Sequence, residues 1–302
     1  IKPVINPAPR GMVFDRNGLP LTNNKGSYRL LLYFDSRKNS KGLVEKLDEI
    51  LDLDSKTKKV FLAKIKNARR KSIISLINNL PWGDVARIET NSHLLPGISI
   101  ESGIIRNYPF PFETSHFLGY ASLPSEKESE ENDQGLFLHP DFRIGKTGIE
   151  RTFDTALRGK YGIKYVEVNS HDIPVRTLSK KPAVEGSKIN LTIDLNLQQF
   201  ATERVKDKVA SVVVMDVKTG EILSYVSSPS FDPNNFVEGI SQEYWKDLNT
   251  DIRRPLNNKP ISAQYPPGST FKLMVSLAAL EAGIDKKKKV YCNGKYRLGM
   301  EN

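Results

Sequence analysis

The segment ASVVVMDVKTGEILSYVS, residues 210–227, combines two β-like apolar runs with a turn sequence between them. The runs cover residues 210–216 and 221–227, and both are rich in β-branched residues, which favour strands. Lysine, threonine and glycine in residues 217–220 favour a tight turn. The segment therefore predicts an antiparallel hairpin.

Helical patterns flank this hairpin. Upstream, apolar residues repeat at helical spacing after Asp194, a residue type that favours the N-cap position. Downstream, residues 265–272 read YPPGSTFK and lead into an apolar helical pattern that ends at Gly283. This part of the chain therefore mixes a predicted hairpin with predicted helices.

The first part of the chain predicts a β-rich domain. Asn17 and Gly18 give a turn signal within residues 7–22, and a strand is expected over residues 28–34. Two helices are expected next, one after Ser40 as its N-cap and one beginning at Ser55. Short β-like runs are expected over residues 81–105 and an exposed acidic loop over residues 124–135. Three β-rich runs follow over residues 163–193.

Length and composition indicate two domains. The chain has 302 residues, of which 38% are hydrophobic and 26% charged, and this balance permits two cores. A composition shift over residues 179–186 places the predicted boundary near residue 180, which separates residues 1–180 from residues 181–302.

The net charge is +10, but lysines and arginines are scattered along the whole chain. Such a charge suits an anionic membrane surface or an acidic polymer and does not single out nucleic acid as a partner. The single cysteine, Cys292, excludes an internal disulfide. No metal or nucleotide is implied, because the four histidines show no paired spacing and no phosphate-binding glycine loop occurs.

The two ends of the sequence carry their own expectations. No apolar run reaches the roughly 18 residues of a membrane span, and the chain begins at Ile1 without a signal peptide, which suggests a processing boundary. Residues 291–302 end without a helix cap or polar tail, so further sequence is expected after Asn302.

Ser269 and Lys272 form an S-x-x-K pair at the predicted helix start. Residues three apart share a helical face, so the hydroxyl and the amine can approach each other as nucleophile and base. The helix N-terminus adds free N–H groups that favour an oxyanion. Neutral lysine costs roughly 4.6 kcal/mol at pH 7 from an ordinary pKa of about 10.4, so further polar and cationic groups are expected around the pair.

Three similar patterns are set aside. Ser55 and Lys58 form a second S-x-x-K pair in a polar helix start, which favours a capping serine beside solvated lysines. Two Lys-Thr-Gly triplets lie upstream of Ser269, where residues 218–220 fit the hairpin turn and residues 146–148 fit a loop leading into a helix.

Several ordered segments resemble the class B penicillin-binding proteins. Residues 10–18, RGMVFDRNG, are similar to the first motif of the family's pedestal. Residues 145–150, GKTGIE, with residues 157–159 and Gly162, are similar to the hinge segment of the pedestal, which accounts for the first Lys-Thr-Gly triplet.

The second half of the chain continues this resemblance. Residues 210–227 and 229–234 are similar to the opening strands of the transpeptidase domain and the segment after them, and residues 265–272 resemble the nucleophile box. Residues 236–262 look more like elongation-type than division-type members. The resemblance spans essentially all 302 residues.

The resemblance implies the α+β fold class, with a β-rich pedestal followed by the first part of a penicillin-recognising α/β transpeptidase domain, an antiparallel sheet with helices. In such a peptidoglycan D,D-transpeptidase, Ser269 is the nucleophile, Lys272 the general base and the Ser269 N–H one oxyanion donor, and no cofactor is required. Implied partners are peptidoglycan stem peptides, β-lactam antibiotics, a membrane glycosyltransferase and, through an anchor before Ile1, the bacterial inner membrane, with the catalytic part facing the periplasm.

The family pattern also requires a Ser-x-Asn box and a Lys-Thr-Gly strand downstream of the nucleophile, and neither occurs after Ser269. The chain alone is therefore expected to be catalytically incomplete. One alternative is a non-catalytic scaffold or partner-binding module. Another is a β-lactam sensor or serine β-lactamase, which would not need residues 7–178.

Overall fold

A computed structural model describes residues 1–34, 40–67, 72–125, 127–128, 142–168 and 174–294 of the chain. The chain divides into two compact units, Ile1–Ile261 and Ser262–Asn302. Most of the acidic loop expected over residues 124–135 lies outside the described residues.

The described residues form mixed α and β structure, as the α+β prediction states. The strands are β1 (Lys2–Asn6), β2 (Val13–Phe14), β3 (Asn23–Phe34), β4 (Ser72–Ile77), β5 (Ile98–Asn107), β6 (Ala121–Ser122), β7 (Ile144–Gly145), β8 (Gly162–Val168), β9 (Pro174–Lys181), β10 (Ile189–Asn190), β11 (Ala210–Met215) and β12 (Ile222–Ser228). The α-helices are α1 (Ser40–Leu51), α2 (Ser55–Asn67), α3 (Trp82–Thr90), α4 (Pro111–Leu118), α5 (Gly148–Thr152), α6 (Asp154–Arg158), α7 (Leu195–Val205), α8 (Asn234–Val237), α9 (Gln242–Thr250), α10 (Lys259–Ser262) and α11 (Lys272–Glu281).

A three-stranded antiparallel sheet in the order β4-β3-β5 forms the base of the first core. Leu30 and Leu32 of β3 are buried against Leu47 of α1, Phe61 of α2 and Ile88 of α3. This arrangement confirms the strand and the two helices predicted here. The predicted Ser40 cap concerns a side chain outside the described ones.

The expectation of short β-like runs over residues 81–105 is wrong for its first half. Helix α3 occupies Trp82–Thr90, and β5 begins only at Ile98. Val85 and Ile88 lie three residues apart and are both buried, so the helical period of the apolar residues outweighs their β-branched character.

The second core lies around the turn that follows β2. The Asp15 carboxylate accepts hydrogen bonds from the N–H groups of Asn17 (2.8 Å) and Leu19 (2.8 Å), and Gly18 has φ +82°. This confirms the predicted turn. The same carboxylate accepts a bond from the Leu195 N–H at 3.2 Å, so it also connects the turn to the start of α7.

A buried ionic cluster joins the segments of residues 10–18 and 145–150. Glu150 at the start of α5 is fully buried, and its carboxylate contacts Arg10 Nε at 2.5 Å and Arg106 Nε at 2.7 Å. The Tyr108 hydroxyl donates to the same carboxylate at 3.3 Å. Arg10 also pairs with Asp154 at 2.8 Å.

The charges of this cluster support one another. Burial lowers the pKa of Arg10, but the nearby carboxylates of Glu150 and Asp154 outweigh that effect and raise it. Burial and the Glu150 charge also raise the pKa of Tyr108. Arg10 therefore stays charged and Tyr108 stays neutral throughout the physiological range.

Neutral side chains attach the hairpin of β11 and β12 to this frame. Gln198 of α7 is fully buried, and its amide accepts from the Tyr225 N–H at 2.7 Å and donates to the carbonyls of Glu113 (2.7 Å) and Tyr225 (2.8 Å). Asn234 bonds both backbone groups of Tyr108, at 2.9 and 3.1 Å. Nearly all of the bonding capacity of the buried Gln198 amide is thus used.

Within the part of the chain that the structure describes, no helix has the length and hydropathy needed to cross a membrane.

Replacing the central carboxylate tests the role of the ionic cluster. We expect Glu150→Gln to lower the free energy of unfolding by about 3 kcal/mol or more, because two buried guanidinium groups lose their shared counter-charge. Urea unfolding at pH 7 measures this change.

Glu221→Gln is the matched control. Glu221 pairs with Arg16 at 3.4 Å with both side chains partly exposed, and such a pair contributes about 1 kcal/mol or less. Equal losses for the two variants would contradict the importance assigned to the buried cluster.

Candidate active site

The segment that carries Ser269 enters its helix through two prolines and a glycine. Gly268 has φ +55°, a left-handed conformation that glycine adopts without the steric cost of a Cβ atom. The Thr270 hydroxyl donates to the Pro267 carbonyl at 2.5 Å and fixes the turn.

Ser269 lies in a 3₁₀ turn, Gly268–Phe271, and α11 begins at Lys272. The sequence predicted Ser269 in the first turn of the α-helix, so this detail is corrected. Residues three apart eclipse one another in a 3₁₀ turn, which keeps Ser269 and Lys272 on one face. The N–H of Lys272 bonds the Ser269 carbonyl and makes the backbone continuous into the helix.

The far end of α11 matches its prediction. Gly283 has φ +78°, its N–H bonds the Leu280 carbonyl at 3.0 Å, and the Ile284 N–H bonds the Ala279 carbonyl at 3.0 Å. This pair of bonds is a Schellman cap. The sequence predicted that Gly268 leads into this helix and that Gly283 ends it, and both predictions are confirmed.

The side chains of Ser269 and Lys272 are exposed. A hydroxyl and an amine on one face of a helix start suit acyl transfer through a serine ester. Among the described residues, no group of three or more histidine, cysteine or acidic side chains could hold a metal ion.

The two Lys-Thr-Gly triplets have structural roles in the backbone. Residues 218–220 form the turn between β11 and β12, where Asp216 accepts from the N–H groups of Lys218 (2.8 Å) and Thr219 (3.0 Å). Residues 146–148 lead from β7 into α5. Both placements agree with the interpretations made from sequence.

The second S-x-x-K pair lies at the start of α2. Asp54, and not Ser55, is the capping residue, because its carboxylate accepts from the Thr57 N–H at 2.7 Å. Hydrogen bonding by the Thr57 side chain and by this N–H lowers the pKa of Asp54. Ser55 is exposed at the first helical position.

An aromatic-lined cavity in the unit Ile1–Ile261 escaped the sequence analysis. Its volume is about 670 Å³, and its walls include Tyr120, Phe231, Phe236 and Trp245. Polar groups come from β12 and the start of α10, where the Tyr225 hydroxyl donates to Asn258 at 2.6 Å. Its walls come from segments more than a hundred positions apart, so periodicity gave no signal for it.

His116 of α4 lies in the wall of this cavity and packs edge-on against Phe231, with ring centroids 5.3 Å apart. Burial, together with the nearby Lys259 cation, lowers the pKa of His116 from 6.5 to about 4. Lys259 is itself buried, its ammonium donates to the Arg254 carbonyl at 3.1 Å, and burial lowers its pKa.

Comparison with protein families gives two matches along the chain. Residues 5–191 match the model of the Penicillin-binding Protein dimerisation domain. Residues 210–301 match the model of the Penicillin binding protein transpeptidase domain.

Several curated relatives match most of the chain. The peptidoglycan D,D-transpeptidase MrdA of Acinetobacter baumannii is 34% identical over 278 residues, which are 92% of this chain and 41% of the relative. MrdA of Escherichia coli K12 is 35% identical, with 91% and 44% covered. Penicillin-binding protein 3 of Bacillus subtilis is 30% identical, with 93% and 41% covered. The chain thus spans less than half the length of these relatives.

Solved structures also match. The complex between penicillin-binding protein PBP2 and MreC from Helicobacter pylori aligns with a TM-score of 0.82 and 28% identity, covering 99% of this chain and 56% of that chain. PBP2 from the same organism aligns with a TM-score of 0.69 and 29% identity, covering 93% and 53%.

The pKa of His116 predicts a pH-dependent stability. The folded state holds this histidine neutral down to pH about 4, whereas the unfolded chain protonates it near 6.5. The stabilisation is complete above pH 6.5 and is lost as the pH falls towards 4, by about 3 kcal/mol in total. Urea unfolding at several pH values should show this decline, and His116→Gln should flatten it.

His93→Gln provides the comparison, because His93 is exposed on the 3₁₀ turn after α3. A decline between pH 6.5 and 4 that survives in His116→Gln would exclude His116 as its source.

Proposed function

The chain belongs to the penicillin-binding proteins that carry the dimerisation domain, and on that premise we propose that its protein is a peptidoglycan D,D-transpeptidase of cell elongation. The observation that carries the proposal is the Ser269 and Lys272 pair on one face of a helix start, within residues that match the transpeptidase domain. The names of the MrdA relatives support the same activity.

Ser269 is the proposed nucleophile and Lys272 the proposed general base. Neutral Lys272 takes the hydroxyl proton as Ser269 Oγ bonds to the carbonyl carbon of a D-Ala-D-Ala stem peptide. The Ser269 N–H stabilises the oxyanion. The peptide C–N bond then breaks, and Lys272 passes the proton to the departing amine. D-alanine is released, and the rest of the stem peptide stays bound to Ser269 as an ester.

An amine of a neighbouring peptidoglycan strand completes the reaction. It attacks the ester carbonyl, loses a proton to the general base and forms the cross-link, while Ser269 recovers its hydroxyl proton. A β-lactam would acylate the same hydroxyl, and its opened ring would remain attached as a stable ester. No step requires a cofactor.

The residue-180 boundary remains our proposal for the limit between pedestal and transpeptidase part. The family resemblance supports an extracytoplasmic location at the bacterial inner membrane and a membrane glycosyltransferase as partner. A solved relative is a complex with MreC, which supports a comparable elongation-machinery protein as a partner of this chain.

A second candidate function is a partner-binding module without catalysis. The observation in its favour is the same complex, in which the matching relative is bound to another protein. The candidate β-lactamase is disfavoured, because residues 5–191 match a dimerisation domain that such an enzyme does not need.

Intact-mass analysis after incubation with penicillin tests the catalytic proposal. We expect the complete gene product that contains this chain to gain the mass of one penicillin, and Ser269→Ala to abolish the gain. Lys272→Gln should slow the acylation by about 10²- to 10⁴-fold at pH 7, because the general base is lost.

Ser55→Ala is the matched control, since Ser55 belongs to the other S-x-x-K pair and is likewise exposed. Its acylation should equal that of the unaltered protein. A folded protein that gains no mass, or an adduct that persists in Ser269→Ala, would refute the nucleophile assignment and favour the partner-binding module.

A further inference from the structure

A second cleft, of about 280 Å³, lies beside the ionic cluster in the unit Ile1–Ile261. Its described lining includes five cationic side chains and no acidic one, and these cations are Arg10, Arg106, Arg143, Arg158 and Lys164. Ile104 and Tyr161 lie at its exposed edge and are 44% and 43% exposed. Glu150, Asp154 and Glu238 pair with the four arginines, so the cleft is open to solvent and has five cations beside three carboxylates.

Two of these cations are built into the core. The side chains of Arg10 and Arg106 are only 8% and 1% exposed, and Glu150 holds both in place. Arg10 also donates to the Glu150 carbonyl at 2.9 Å, and Arg106 to the Gly11 carbonyl at 2.9 Å. Their positions are therefore fixed before any ligand arrives.

Each of these arginines keeps one donor unused. Arg10 Nη1 and Arg106 Nη2 are buried and have no hydrogen-bond acceptor within the described part of the chain. Buried polar groups of native proteins nearly always have a partner, and a bound water or ion is one way to satisfy a donor that the protein leaves unpaired. A charged donor without an acceptor is costlier still.

The chemistry of the lining selects the ligand class. Guanidinium groups match the oxygens of phosphate, and several cations around one cleft favour a multiply charged oxyanion. A water molecule occupies about 30 Å³ of liquid, so the cleft of about 280 Å³ has room for a phosphate or diphosphate group.

We propose that this cleft is a binding site for a phosphate or diphosphate group. Arg10 and Arg106 supply fixed positive charge to its lining, and Lys164 provides a cation from β8. The site lies in the unit Ile1–Ile261 and uses none of the residues proposed for catalysis, so it does not depend on the proposed transpeptidase function.

Calorimetric titration of the chain with pyrophosphate, at constant ionic strength set with sodium chloride, tests the site. We expect saturable binding by the unaltered chain. Lys164→Gln should weaken it by about tenfold, the effect of one lost charge-assisted bond. Ile104→Glu places an acid at the exposed edge and should abolish it.

Lys181→Gln is the matched control. Lys181 lies on the neighbouring strand β9, opposite Ile163, so it points to the other face of the sheet from Lys164. The affinity of the Lys181→Gln variant for pyrophosphate should stay within about twofold of that of the unaltered chain, as expected for a distant surface charge. Circular dichroism verifies that each variant is folded.

No saturable binding by the unaltered chain, or unchanged binding in either folded lining variant, overturns the proposal. Competition then identifies the source of the phosphate. If phosphatidylglycerol vesicles displace pyrophosphate and phosphatidylcholine vesicles do not, the group belongs to an anionic lipid. If neither displaces it, the site takes a soluble phosphate compound.

Discussion

The structure of the first unit depends on one buried carboxylate. Glu150 is fully buried, and a charge in that position is tolerated only when it is paired and hydrogen-bonded. Arg10 and Arg106 supply the pairing from segments 140 and 44 positions away. The two pedestal motifs at residues 10–18 and 145–150 must therefore pack together, because each leaves a buried charge uncompensated without the other.

Neutral polar groups extend this frame towards the hairpin. The Tyr108 hydroxyl donates a hydrogen bond to Glu150 and accepts one from the Ala121 N–H at 2.8 Å. The Asn234 side chain accepts a bond from the Tyr108 backbone N–H. Gln198 then joins α4, α7 and β12 through bonds that a hydrophobic residue of similar size could not make. The same ionic cluster leaves two guanidinium donors beside the basic cleft, so the constraint that stabilises the core also prepares the proposed phosphate site.

Local rules predicted much of this structure. The hairpin of β11 and β12, the Asp194 cap, which accepts the Leu197 N–H at 3.1 Å, and the Gly283 cap each depend on residues within a few positions. Helix α3 was missed because short apolar runs fit both periods. The Glu150 cluster and the aromatic cavity join residues far apart in the sequence, which no periodicity reveals. For the candidate site, sequence supplied both residues and the turn chemistry, and the structure replaced the first α-helical turn by a 3₁₀ turn.

The central functional claim is that one hydroxyl, that of Ser269, becomes the ester. Tryptic digestion of the penicillin-treated complete gene product, followed by fragment-ion sequencing, locates the modified residue directly. The peptide that ends at Lys272 contains both Ser262 and Ser269, so Ser262 serves as an internal control for the modification of Ser269. The account predicts the penicillin mass on Ser269. Finding it on Ser262, or on a peptide from any other part of the protein, would contradict the account.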